Sequence, residues 1–297
     1  MSEPLRVRAL LDLGIRVFTD STHIFEDHDN ELEAEELLAH CLEIDVEDLD
    51  DDFEPSRRLR ERYLALVARR AGGEPFPFLT GYIEFYGLHL EVRPGSFIPR
   101  PSSELVVDRA VRRIKKKNRP VIVDVCAGAA PIALAVADEV PSAEVWAVDI
   151  DKEGLAQGRR NAKLLNIGNV DFADGDMYDP LPDRLKGKVD LITAHVPYVL
   201  PGELEDLPSE VREYEPASTL SDSSEDGLGL MRRAIAESHD WLRPGGWLLL
   251  EIAEDLGDKL QELCAEAGIT PRGVASDNDG LSVCSEAQKP SSKGRSR

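Results

Sequence analysis

Apolar positions along the chain fall into two regimes. Up to about Arg70 they recur at helical spacing. Pro4 to Phe18 carries one such stripe. Asp29 or Asn30 can cap a helix through His40, with Leu32, Leu37, Leu38 and Cys41 on one side. Ser56 can cap another that runs to Arg70, ahead of Gly72-Gly73. Residues 1–80 are therefore expected to form a small all-helical domain. Alternation in Tyr82–Tyr86 and Leu88–Val92, broken at Gly87, predicts a hairpin, so residues 81–101 read as a hairpin linker. Pro99-Arg100-Pro101 makes a stiff loop, and Ser102 or Ser103 can start a helix that reaches Ile114.

From Pro120 strand and helix patterns alternate. Strands are predicted at Val121–Val125, Val145–Ile150, Val170–Ala173, Val189–Ala194 and Trp247–Ile252. Helices are predicted over Ile132–Val140, Asp151–Leu165 and about Asp226–Leu242, and from the end of the Trp247 strand to Ala267. This order gives an α/β fold with a doubly wound, mostly parallel sheet. Two closing strands near Ile269–Ala275 and Leu281–Ser285 have no helix between them, which predicts an antiparallel edge. Residues 289–297 read as a disordered tail.

Composition narrows the partners. The 297 residues carry a formal charge of −22, and Glu26–Glu54 holds 15 acidic residues with no Lys or Arg. Such a body repels phosphate backbones and anionic membranes, so neither nucleic acid nor membrane is an expected partner. Cys41, Cys126, Cys264 and Cys284 are scattered, with no CxxC pair. That pattern suits free buried thiols and neither a disulfide framework nor a metal site. No apolar run reaches membrane-spanning length and no signal peptide is recognisable, so a cytoplasmic location is expected.

Strand ends supply the candidate chemistry, because ligands of open α/β sheets bind at the carboxyl ends of strands. Asp124-Val-Cys-Ala-Gly128 follows the first strand of the sheet, and Gly128 permits close approach to the backbone. Asp149 ends the second strand, where a carboxylate can take both hydroxyls of a ribose. Asp176 follows the third and can accept from an exocyclic amine. The full G-x-G-x-x-G is missing, and Asp124 suits a cationic ligand better than a diphosphate. The set points to an adenosine ligand with a positive group, such as S-adenosylmethionine. His195-Val196-Pro197-Tyr198 leaves the central strand with a polar ring, a carbonyl, a rigid turn and an aromatic face.

Longer stretches carry a resemblance. They include Glu84-Phe85-Tyr86-Gly87, Ile98-Pro99-Arg100-Pro101, Glu104, Asn161-Ala162, Pro197-Tyr198, Glu215-Pro216, Asp226-Gly227-Leu228 and Leu242 to Ile252. In order and spacing the chain resembles the HemK-type methyltransferases, which methylate the side-chain amide of glutamine in peptide release factors. The resemblance implies a class I methyltransferase domain, here residues 102–288, behind a helical substrate-recognition domain. It also implies S-adenosylmethionine as cofactor, held by Asp124, Gly128, Asp149 and Asp176 with His195 and Arg100 nearby. Two departures stand out. The family's Asn-Pro-Pro-Tyr tetrad is His195-Val196-Pro197-Tyr198 here. Two glycines of its Asp-x-Gly-x-Gly-x-Gly loop are Cys126 and Ala130.

Methyl transfer from a sulfonium is an in-line displacement governed by positioning and desolvation. In the family, the Asn side-chain oxygen and the next carbonyl hold the substrate NH2. Val196 keeps that carbonyl, and His195 supplies a ring nitrogen that accepts or donates according to its tautomer. Tyr198 can cover the planar group, and His195 can also receive the released proton. The altered tetrad and the acidic field together favour a small cationic methyl acceptor such as free L-arginine. Glu84, Phe85, Tyr198 and Glu215 are its candidate binding residues. Glutamine of a release factor is the alternative acceptor. An inactive cofactor-binding scaffold is a third possibility.

Overall fold

The computed structural model describes residues 5–24, 29–277, 280 and 282–291. Pro4, Glu26–His28 of the acidic segment, Leu281 and residues 292–297 of the expected tail lie outside them. Helices α1 (Val7–Thr19), α2 (Asn30–Leu42), α3 (Arg57–Ala71) and α4 (Phe76–Thr80) make up the first part of the chain. Asp29 caps α2 by accepting the Glu31 and Leu32 N–H groups, and Ser56 caps α3 through Leu59 N–H. Leu10, Leu11, Phe18, Leu37, Leu38, Cys41, Tyr63, Leu66 and Val67 form their shared core. Leu32 was expected on the buried side of α2 but is exposed. The buried stripe is Ala34, Leu37, Leu38 and Cys41, and Leu32 lies two residues, about 200° of helix, off Ala34.

Arg70, at the end of α3, is fully buried. Its guanidinium holds both oxygens of Glu33, at 2.7 and 3.0 Å, and Oε2 of Glu210 at 2.8 Å. A buried charge persists only when paired in this way. Through it, and through Ser209 Oγ–H to the His23 carbonyl at 3.2 Å, residues Glu205–Glu215 group with the helices. The sequence pattern had placed that segment inside the α/β domain, because an ion pair 140 residues apart leaves no local signature.

The remaining residues form a second unit, Ile83–Glu91, Ser96–Leu204 and Pro216–Arg297. Strands β1 (Tyr82–Phe85) and β2 (Leu88–Glu91) meet at Tyr86-Gly87, where φ is +49° and +74°. Two positive φ values in a row are the signature of a tight hairpin turn. Helix α5 (Glu104–Ile114) follows and accepts the Tyr86 N–H on Glu104 at 2.7 Å. Then come β3 (Val121–Val125), α6 (Pro131–Glu139), β4 (Glu144–Asp149), α7 (Lys152–Leu164), β5 (Val170–Asp174) and β6 (Val189–Ala194). The chain closes with α8 (Gly229–Trp241), β7 (Leu242–Glu251), α9 (Gly257–Glu266), β8 (Thr270–Ser276) and β9 (Val283–Gln288). The sheet order is β5-β4-β3-β6-β7-β9-β8. The first five strands run parallel, and β9 is antiparallel to both neighbours. This is the Rossmann-like sheet of class I methyltransferases with its antiparallel edge.

Two local outcomes depart from the pattern. Strand β7 starts at Leu242, five residues before the predicted Trp247, because Pro244-Gly245-Gly246 forms a bulge opposite β6. Lys289, expected in the tail, is instead tied down. Its N–H reaches the Gly246 carbonyl at 2.9 Å and its ammonium the Leu242 carbonyl at 2.8 Å.

Helix α7 positions the ligand edge of the sheet. Asn161 clamps the Glu91 backbone in both directions, at 2.9 and 3.0 Å, which fixes the hairpin to the helix. Gly158 lets α7 approach the turn after β3, where an added Cβ would lie 2.8 Å from the Ala129 carbonyl oxygen. Gly158→Ala should therefore lower stability by about 1–3 kcal/mol, the range for overpacking. Gly168→Ala, which meets open space, should leave it unchanged or slightly raised. Paired urea titrations check this, and equal midpoints would contradict the packing account.

Candidate active site

The carboxyl ends of β3, β4, β5 and β6 line one cleft of about 1010 Å³, its open mouth included. At the end of β3, Asp124 is buried and in register with Thr193 of β6. The Thr193 hydroxyl donates to Asp124 Oδ1 at 2.7 Å, while Oδ2 has no well-formed hydrogen bond among the described residues. Burial pushes the Asp124 carboxyl up to about 7, against the downward pull of the Thr193 hydrogen bond. The turn that follows places Cys126, Gly128 and Ala130 at φ of +55°, +55° and +60°. Left-handed backbone costs about 1–2 kcal/mol at a non-glycine residue. The two positions where the family pattern has glycine are thus still turned the glycine way.

Asp149, ending β4, accepts the Gly128 N–H on Oδ2 and the Asp151 N–H on Oδ1, both at 2.7 Å. Each oxygen keeps a second lone pair. Burial raises its pKa, and the backbone donors oppose that rise. Asp176, beyond β5, also lines the cleft, but both its oxygens pair with Arg233 of α8 at 3.0 and 3.2 Å. Sequence reasoning missed Arg233, which stands 57 residues away on a helix whose own pattern carries no binding signal.

Beyond β6, His195 lines the cleft. Its Nδ1 lies 3.1 Å from Glu251 Oε2 and 3.5 Å from Ser103 Oγ. Phe97 meets the ring edge-on at 5.5 Å, and Tyr198 stacks against it at 5.9 Å. Arg100 lies over the Phe97 ring, 4.5 Å from its centroid. Glu251, Ser103 and Phe97 were not predicted as site residues. Glu251 was legible in principle, since a carboxylate ending a long apolar strand is unusual.

The structure brings Arg100, Asp124, Gly128, Asp149, Asp176, His195 and Pro197 together on one cleft. Other candidates lie elsewhere. The Val196 side chain is buried in the core, and Tyr198 is half-buried, stacked on His195 without lining the cleft. Phe85 is also core, because its strand turns that face inward. Glu84 is exposed and paired with His89 at 2.7 Å. Glu215 is buried in the helical unit. Neither Glu84 nor Glu215 lines the cleft, so neither is the carboxylate that a guanidinium substrate would require there.

S-adenosylmethionine fits these residues. A carboxylate oxygen is buried beside the cleft without a well-formed bond, two more carboxylates rim it, and Gly128 has open space where a Cβ would stand. Acceptors of this kind suit hydroxyls, an amine and a positive charge.

Residues 116–287 match a family model described as a methyltransferase domain, and residues 17–81 match a PrmC N-terminal domain. A release factor glutamine methyltransferase of Streptomyces coelicolor is 38% identical over 240 residues, covering 79% of this chain and 82% of its own. One from Geobacter sulfurreducens is 34% identical over 254 residues, covering 84% and 86%. One from Burkholderia pseudomallei is 36% identical over 246 residues, covering 80% and 84%. These relatives overturn the expectation of free arginine as methyl acceptor. The acidic charge that suggested it is a property of the whole body and does not name what enters the cleft.

A raised carboxyl binds its proton more tightly in the folded chain than in the unfolded one. Asp124 therefore favours the fold at pH 4 and loses that advantage as pH rises toward 7. Asp124→Asn should flatten the fall of Tm between pH 4 and 7 relative to the parent chain. Calorimetry at pH 4, 5.5 and 7 measures it, and parallel curves would contradict the buried-carboxyl account.

Proposed function

The chain belongs to the release factor glutamine methyltransferases, which are S-adenosylmethionine-dependent N-methyltransferases, and from that premise we propose that it methylates the side-chain amide of glutamine in a release-factor-type protein. The supporting observation is that the similarity runs through both parts of the chain. Residues 17–81 match the N-terminal domain model, and relatives 34–38% identical align over about four fifths of the length. A substrate protein in place of a free amino acid gives the N-terminal helices α1 to α4 a recognition role.

The bound cofactor supplies a sulfonium methyl group. Asp149 would hold the ribose hydroxyls through its remaining lone pairs, and Asp176 the exocyclic amine beside Arg233. Asp124 would face the positive end of the cofactor. An amide nitrogen is a weak nucleophile because its lone pair is delocalised into the carbonyl. Acceptors on both of its hydrogens localise that density and fix the direction of attack. We assign those acceptors to the Val196 carbonyl and His195. Pro197 stiffens the turn that carries the carbonyl. Tyr198 backs the His195 ring and keeps it from rotating away.

The test is incubation with labelled S-adenosylmethionine, a release factor and free arginine together, followed by mass spectrometry of both. The expected product is methylated glutamine in the release factor, with arginine unchanged. His195→Ala should lower kcat about tenfold or more, the scale of one lost hydrogen bond to a reacting group, and His195→Asn should keep or raise it. An unmethylated release factor would overturn the substrate. A fully active His195→Ala would remove His195 from its assigned role.

A further inference from the structure

The tetrad's histidine poses a chemical question. Asparagine presents a side-chain oxygen that can only accept, whereas an imidazole edge accepts or donates according to where its proton sits. We propose that Glu251 is a positioning residue that fixes the proton of His195 on Nδ1, so that Nε2 presents an acceptor to the substrate amide. The substrate named in this statement rests on the reading above, whereas the position of the proton does not.

Strand register creates the pair. Ala194 of β6 is paired with Leu250 of β7, so the next residues, His195 just beyond β6 and Glu251 at the last position of β7, stand side by side. Glu251 is 3% exposed, and its Oε1 takes the Ser102 hydroxyl at 2.8 Å. That leaves Oε2, which has no well-formed hydrogen bond among the described residues and lies 3.1 Å from His195 Nδ1, within ion-pair reach. A bare ring nitrogen at that distance from a carboxylate would set lone pair against lone pair. A protonated one makes a charge-assisted contact. The Ser103 hydroxyl, 3.5 Å from the same nitrogen and in hydrogen-bond geometry with it, can rotate to donate or accept, so it does not by itself fix where the proton sits.

Only one proton is available to share between the two nitrogens. Burial, and then the Arg100 charge, hold the His195 pKa below the ordinary imidazole range, against the opposing pull of Glu251. The ring is therefore neutral at pH 7, and a proton on Nδ1 leaves Nε2 bare. His195 lines the cleft and Glu251 does not, which leaves the ring edge opposite the carboxylate for a substrate to meet. Phe97 edge-on and Tyr198 stacked restrain the ring in that orientation. In this arrangement a histidine reproduces the accepting side-chain oxygen of asparagine. The histidine needs its carboxylate to do so.

The test uses the full chain with its histidine rings labelled with nitrogen-15, the His195 signals being identified by their loss in His195→Asn. Long-range proton–nitrogen correlation at pH 7.5 should show Nδ1 protonated and Nε2 bare. Glu251→Gln should let the Nε2–H form appear and lower kcat on a release factor at least tenfold, with little change in KM for S-adenosylmethionine. Glu251→Asp should restore part of both. In the His195→Asn background, Glu251→Gln should change kcat less than twofold, because an asparagine has no tautomer to set. A parent spectrum with Nε2 protonated would overturn the proposal, as would equal losses from Glu251→Gln in both backgrounds. The spectrum needs no methyl acceptor, so failure of the release factor as substrate would leave this test standing.

Discussion

Asp124 and Thr193, both almost fully buried, face each other across the paired ends of β3 and β6, joined by a 2.7 Å hydrogen bond. Much of the site depends on that contact. The turn after Asp124 carries Gly128, which approaches Asp149. Two residues after Thr193 stands His195, on the lining of the cleft. A buried carboxylate with few hydrogen-bond partners is costly, and burial pushes its proton affinity far above the ordinary value. The protein keeps it on the lining of the cleft. A parallel sheet makes this possible, because all its strand ends open on one side.

Around that contact, flexibility is removed by backbone more than by side chains. Asp149 spends one lone pair of each oxygen on the N–H groups of Gly128 and Asp151. Gly158 admits the turn against α7, and Asn161 ties α7 to the hairpin. Cys126 and Ala130 accept left-handed backbone without being glycine. The conformation of this turn is therefore set by its surroundings, and the residue types have been allowed to drift within it.

Much of the fold could be read from periodicity. Val121–Val125 and Val189–Ala194 are strands with the expected bounds, since short apolar runs flanked by polar residues signal buried parallel strands. Caps at Asp29 and Ser56 were equally legible, being local hydrogen-bond devices. The failures share a cause. Strand β7 begins early because a bulge pairs with a distant strand, and Glu205–Glu215 groups with the helices through an ion pair at Arg70. In the site, the strand-end carboxylates were visible from spacing, but Arg233, Ser103 and Glu251 reach their partners only through tertiary packing. Phe85 was misplaced because an aromatic in a hairpin can face either way, and alternation alone does not say which face is covered. The acceptor was misread because the altered tetrad and the net charge were taken together as a change of substrate, although the charge belongs to the whole body and not to the cleft.

The most direct measurement is a crystal structure of the chain with S-adenosylhomocysteine and a glutamine-containing release factor peptide. The account predicts the glutamine side-chain nitrogen within hydrogen-bond distance of both the Val196 carbonyl and His195 Nε2, with Tyr198 still stacked on the ring. A glutamine amide held by other groups, with His195 turned away from it, would contradict the account.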